Sequence, residues 1–208
     1  MIMIKKRKSK FTINIGWLIL ILTLVFIIFS VGYYYYENNY MYNIYNQKNV
    51  IKNHRNFINR LLPSVTDAQR KYNILASISL SQAILESNWG SSKLATNYNN
   101  LFGVKAYNKQ PSVKLSTNEF VNGNFINIKG YFRVYKSWDD SVQSHAKLLA
   151  NGTSWNQYQY QDVINSDNYI EAAHNLQIDG YATDPKYTNK IIEIIKKYHL
   201  NQYDKVNK

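Results

Sequence analysis

Two of the 13 acidic residues stand where a carboxylate is out of place. Glu86 sits in LSQAILESNWG, residues 80–90, among apolar and small neighbours. Glu119 sits in VKLSTNEFV, residues 113–121, within the file Val113, Leu115, Thr117, Glu119, Val121. A carboxyl group in the last turn of an apolar helix feels the negative end of the helix dipole and loses hydration, and both effects raise its pKa. That is what a general acid needs to hold a proton at neutral pH. Two carboxyl groups on separate elements suit glycoside cleavage, which uses a pair about 5 to 5.5 Å apart for retention or about 6.5 to 9.5 Å apart for inversion. Plainer roles stay open: Glu86 turned to water or paired with Lys93, Glu119 a surface strand residue paired with Lys129.

Residues 75–87 form the most apolar helical segment, with Ile78, Gln82 and Leu85 on one face and Leu80 and Ile84 on another, so this helix is expected at the centre of its lobe, closed by Gly90. The period then falls to two, and Asn122-Gly123 is the strongest short hairpin signal. A two-residue turn there pairs Val121 with Asn124, Phe120 with Phe125, Glu119 with Ile126 and Thr117 with Ile128. A helix face at Phe57, Ile58, Leu61 and Leu62 is expected to resume after Pro63. Ser137 caps a helix running to about Leu149, another covers about 168–177, and a last one starts with Asp184 as N-cap and Pro185 behind it. Tyr187, Ile191, Ile194, Ile195 and Tyr198 give that helix an apolar stripe. The fold class is α+β, mainly helical, with one small β-hairpin.

Residues 13–31, INIGWLILILTLVFIIFSV, are almost wholly apolar. At about 1.5 Å per residue they cover about 28 Å, close to a bilayer core. Lys5, Lys6, Arg7, Lys8 and Lys10 hold the N-terminus in the cytoplasm by the positive-inside rule, and Tyr33–Tyr36 reads as an interfacial aromatic belt. The expected order is a basic cytoplasmic tip (1–12), a transmembrane helix (13–32), a tether or helical continuation (33–52) and an extracytoplasmic domain (53–208) facing the cell wall. Cleavage near Ser30-Val31-Gly32 is the competing reading, although signal h-regions are shorter. The net charge is +12, and setting aside the five N-terminal cations leaves +7 for the rest. A basic exported domain suits an anionic wall or membrane surface, and its location argues against nucleic acid.

Zero cysteines exclude thiol catalysis and disulfides. His54, His145, His174 and His199 have no metal-ligand spacing, and neither a P-loop nor a G-x-S-x-G elbow occurs, so no metal or cofactor is expected. Asn151-Gly152-Thr153 matches a glycosylation pattern that matters only in a eukaryotic secretory pathway.

AILESNWG, NNLFGVK, TNEFVNG followed by FRVYKSWDDSVQSHAKLL, and GYATDPKYTNKI together resemble the family 73 glycoside hydrolases, bacterial peptidoglycan N-acetylglucosaminidases related to flagellar and autolysin domains. The resemblance runs from about Phe57 to Tyr198. It implies a lysozyme-like two-lobed fold, Glu86 as catalytic acid, Glu119 as a second carboxylate that activates water or steadies positive charge, and Tyr181 in catalysis or substrate holding. Phe120 stands where the family has Tyr. If Glu119 is too far away, the substrate's N-acetyl group serves as nucleophile with Tyr181 aiding it. Trp89, Asn100, Phe102 and Tyr135 are candidate substrate contacts, the aromatic ones as sugar platforms or simply as core. The implied partner is the peptidoglycan glycan strand, cut after N-acetylglucosamine, and a membrane protein partner is left open. A lytic transglycosylase and a non-catalytic glycan-binding module are the competing functions, and Glu119 counts against the first.

Overall fold

A computed structural model describes residues 15–107, 110–121 and 124–204. The basic tip, the first two residues of the apolar span and the Asn122-Gly123 turn lie outside them. Contacts divide the chain into Met1–Lys52 and Asn53–Lys208, the second holding everything argued below about chemistry.

The first helix, α1 (Ile15–Tyr72), is long and apolar enough in its N-terminal part to cross a membrane. The 33–52 stretch is a helical continuation rather than a loose tether. The helix also runs straight through Pro63, where an interruption was expected. Proline there removes one backbone hydrogen bond, but Phe57, Ile58, Leu61, Val65 and Ala68 are buried on both sides of it, and their burial outweighs the local loss.

In Asn53–Lys208, α2 (Ala76–Ser87) is the central helix: ten of its twelve residues are buried. Buried helix ends need partners for their free N–H groups. Here they come from distant chain: Gln69 Oε1 accepts from the Ala76 N–H at 2.5 Å, and the Asp204 carboxylate accepts from the Ser77 N–H at 2.8 Å and hydroxyl at 2.7 Å. The C-terminal tail thus pins the start of the helix that ends in Glu86. Around α2 pack α6 (Tyr169–Ile178), α7 (Tyr187–Tyr198) and a 3₁₀ turn at Leu200–Tyr203. Short helices α3 (Lys93–Tyr98) and α5 (Gln161–Ile164) were not foreseen, and α4 (Trp138–Asn151) lies between β2 and α5 in the chain.

Strands β1 (Ser112–Val121) and β2 (Asn124–Arg133) form one antiparallel hairpin. Its register is the expected one: Val121 faces Asn124, Glu119 faces Ile126 and Thr117 faces Ile128. At its base, Lys105 bridges to Phe132, and the Ala106 N–H donates to the Tyr131 carbonyl at 2.8 Å. The cap of α4 is as read, with Ser137 Oγ accepting from the Asp140 N–H at 3.1 Å, and α6 has a cap of its own in Asn168, whose Oδ1 accepts from the Ile170 and Glu171 N–H groups. The last helix differs. Asp184 caps a turn, accepting from the Lys186 N–H at 2.9 Å, and α7 begins only at Tyr187.

Candidate active site

Glu86 occupies the last turn of α2. The next three residues, Asn88, Trp89 and Gly90, all have positive φ (49°, 59° and 74°). Asn88, not Gly90, makes the left-handed cap, and its N–H donates to the Ile84 carbonyl. Asn tolerates that backbone region but the bulky Trp89 does not, so the turn must be held from outside. Ser87 Oγ accepts from the Gly90 N–H at 2.7 Å. Trp89 is clamped flat against His54, ring centres 3.6 Å apart, with the edges of Phe57 and Tyr198 at 5.9 and 4.7 Å. Gly90 lies so close to Trp138 that a Cβ would come within 2.5 Å of its ring. The turn that aims Glu86 is therefore fixed by packing.

Glu86 itself is exposed, as an acid that must meet a substrate has to be. The protein around its carboxyl is nonetheless dense, and desolvation, the largest influence, pushes its pKa above the ordinary carboxylate value. Two groups oppose that shift: the Tyr187 hydroxyl, which hydrogen-bonds the carboxyl, and the charge of Lys190. Lys190, whose ammonium pairs with Asp184, acts on Glu86 through its charge, where the plainer reading named Lys93.

The direction of the Tyr187 bond follows from its other partner. Gln82, fully buried one turn before Glu86 on α2, donates its Nε2–H to the Tyr187 oxygen at 3.0 Å. The phenol oxygen accepts from Gln82 and keeps its own proton free to donate, and an ionised carboxylate can only accept, so that proton is directed to Glu86. Neither Gln82 nor Tyr187 was singled out as a site residue from sequence, where both were read as members of a helix face. The available signal was a lone amide four residues before the glutamate on an otherwise apolar helix.

Tyr181 is the next residue in line. Its ring lies 5.8 Å from that of Tyr187, burial raises its pKa, and it is near enough to Glu86 for the carboxylate to raise it further. Behind it stands His145 of α4, edge-on at 5.8 Å and stacked on Phe102 at 3.9 Å. Glu86 and Tyr181 are thus brought together. For Glu119 only the strand position is described, and its side chain lies outside the described structure.

Of the four expected substrate contacts, three are buried and Trp89 is half-buried. Phe102 and Tyr135 are buried, 4% and 8% exposed, with one covered by His145 and the other by the Arg133 guanidinium. Trp89 is half-buried with a face given to His54. Asn100 is 1% exposed and fully engaged: Nδ2 donates to the Val104 and Arg133 carbonyls at 3.0 and 2.9 Å, and Oδ1 accepts from the Val104 N–H at 3.0 Å. It ties the hairpin base to the helices. Each of these four residues holds the frame around the site.

Among the described residues no group of three or more His, Cys, Asp or Glu could hold a metal ion. An open groove lined by Arg60, Asp67, Lys71, Asp139, Gln143 and Lys147 lies along α1 and α4 and includes none of the candidate residues.

A carboxyl group raised in pKa by desolvation at the end of a central helix has the setting a general acid needs. The chain belongs to the glucosaminidase family, whose model, described as mannosyl-glycoprotein endo-beta-N-acetylglucosaminidase, matches residues 62–200. It is 46% identical over 151 residues to the exo-glucosaminidase LytG of Bacillus subtilis (strain 168), covering 73% of this chain and 54% of that protein. It is 34% identical over 150 residues to a probable N-acetylmuramidase of Lactococcus lactis subsp. lactis (strain IL1403), covering 71% of this chain and 34% of that one. The chain therefore spans about half or less of these relatives. The crystal structure of the catalytic domain of the autolysin Auto from Listeria monocytogenes superposes with a TM-score of 0.66 at 36% identity, over 73% of this chain and 88% of that one.

The Tyr187 hydroxyl holds down the pKa of Glu86, against the effect of desolvation. Tyr187→Phe removes a bond that favours the ionised acid, so the Glu86 pKa moves up and the alkaline limb of the pH–rate profile moves with it. Gln82 is left without its acceptor, costing about 1 to 3 kcal/mol of stability. Rate profiles on purified wall check this, and an alkaline limb that stays put removes Tyr187 from the acid's environment.

Proposed function

We propose that the chain hydrolyses the β-1,4 bond after N-acetylglucosamine in peptidoglycan glycan strands. The observation that carries this reading is the Glu86 carboxyl, solvent-reachable, raised in pKa by desolvation and addressed by the Tyr187 hydroxyl. Glu86 protonates the leaving glycosidic oxygen. Glu119 activates water or steadies the developing charge, or else the substrate's N-acetyl group attacks with Tyr181 assisting.

The relatives' names divide over the bond, one an exo-glucosaminidase and another a probable N-acetylmuramidase. The test is the reducing end. Soluble fragments reduced with borohydride are expected to carry the alditol of N-acetylglucosamine. Muramic alditols would make the chain a muramidase, and 1,6-anhydro ends a transglycosylase.

We also infer that the apolar part of α1 is a retained membrane anchor, with residues from about Tyr33 outside the cell and 53–208 facing the wall. Its length, apolarity and tyrosine belt support this. Protease added to intact protoplasts is expected to remove the 53–208 domain and leave a membrane stub. Full protection would sink the topology, and a soluble product starting near Tyr33 in growing cells would mean cleavage.

A further inference from the structure

The rings of Phe102 and Tyr135 are buried, whereas two large aromatic side chains of the 53–208 unit stand open on one loop. Trp155 and Tyr158 are 70% and 66% exposed. They lie in NGTSWNQYQYQ, residues 151–161, which has no charged residue in a chain of net charge +12.

The loop is built rather than slack. Gly152 has φ 68°, and a Cβ there would collide with the Asn156 carbonyl. The Thr153 N–H donates to that carbonyl at 2.9 Å, and the Tyr158 N–H donates to Asn156 Oδ1 at 3.1 Å. Thr153 Oγ1 donates to Gln159 Oε1 at 2.8 Å. Folding thus holds two apolar rings in water on a fixed backbone.

The same loop is tied to the candidate site. Gln159 Nε2 donates to the Asp179 carbonyl at 2.8 Å, two residues before Tyr181. The Tyr160 ring is 6.0 Å from the Tyr181 ring. Trp155 and Tyr158 therefore project from a segment anchored beside Tyr181.

We propose that Trp155 and Tyr158 form a subsite for the neutral N-acetylated sugars of a glycan strand, set apart from the bond that is cut. The chemistry fits: ring faces stack on the apolar face of a pyranose, and the exposed amides of Asn156 and Gln157 can donate to and accept from hydroxyl and N-acetyl groups. An anionic polymer would be met by Lys or Arg, which the loop lacks. The assignment rests on the glycan-hydrolase reading and names where that substrate is held.

The test uses the full chain in detergent carrying Glu86→Gln, so that bound wall is not cut, sedimented with insoluble peptidoglycan stripped of anionic polymers. Adding Trp155→Ala and Tyr158→Ala is expected to weaken binding by about tenfold or more. Tyr131→Ala, an exposed tyrosine on the hairpin, is expected to bind like its parent. Binding is expected to persist in high salt, because no ion pairs are involved. Equal binding with and without the two rings overturns the subsite, and so does an equal loss with Tyr131→Ala. Binding that needs the anionic polymers, or that vanishes in salt, overturns it as well. Hydrolysis by the unsubstituted chain is scored separately, so a failed activity reading and a failed subsite leave different records.

Discussion

Glu86→Gln is expected to lower wall hydrolysis by about 10² to 10⁴-fold, the contribution of a positioned general acid. The substitution keeps the side chain's shape, and its amide oxygen still accepts the Tyr187 proton, so the hydrogen bond seen by both α2 and α7 survives. What is lost is the proton for the leaving oxygen. The thermal midpoint is therefore expected to stay near that of the parent, since nothing buried is left unpaired. Release of soluble fragments from purified wall, measured beside a melting curve, separates the two effects. A Gln variant with parental turnover would return Glu86 to the role of an ordinary helix-end residue. Glu119→Gln, measured in the same assay, then reports on the second step. A loss as large as that of Glu86→Gln supports direct activation of water, whereas a mild loss supports attack by the substrate's own N-acetyl group.

How far the sequence reveals this molecule depends on whether the deciding force is local. The hairpin register was legible down to the residue because a period of two and an Asn-Gly turn allow one pairing, and the ladder has it. Ser137 was legible as a cap because a side-chain acceptor next to free N–H groups acts within one turn. Pro63 was misread because what carries α1 past it is burial against distant residues. The start of α7 was misplaced because Asp184 and Pro185 favour a turn as much as a helix. For the site, Glu86 was legible as a charge in an apolar setting. Trp89, Phe102 and Tyr135 were not separable into platforms and packing, since a flat ring serves either use and only its neighbours decide. Gln82 and Tyr187 were hidden because the bond between them joins residues 105 positions apart.

The largest effect of pH on stability is expected from His145. It is fully buried in α4, stacked on Phe102 and edge-on to Tyr181, and neither ring nitrogen has a hydrogen-bond partner among the described residues. With no acceptor to favour the cation, desolvation lowers its pKa from 6.5 to about 3. The folded chain therefore holds His145 neutral while the unfolded chain takes up a proton below pH 6.5. Stability is complete above that pH and falls as pH drops toward 3, by about 1.4 kcal/mol per unit. His54, lowered by burial and by Lys197, acts in the same direction, whereas Glu86, raised by burial, acts in the opposite one. Asp67 and Asp184, held low by Lys71 and Lys190, matter only near and below pH 4. Comparison with His145→Phe, which keeps a ring against Phe102, isolates the histidine. Between pH 6.5 and 5 the parent is expected to lose about 2 kcal/mol more than the variant, read from denaturant midpoints by tryptophan fluorescence. Parallel pH curves would contradict the buried neutral imidazole. So would an imidazole resonance in the parent, assigned to His145, that titrates near 6.5, and that measurement stands even if the variant does not fold.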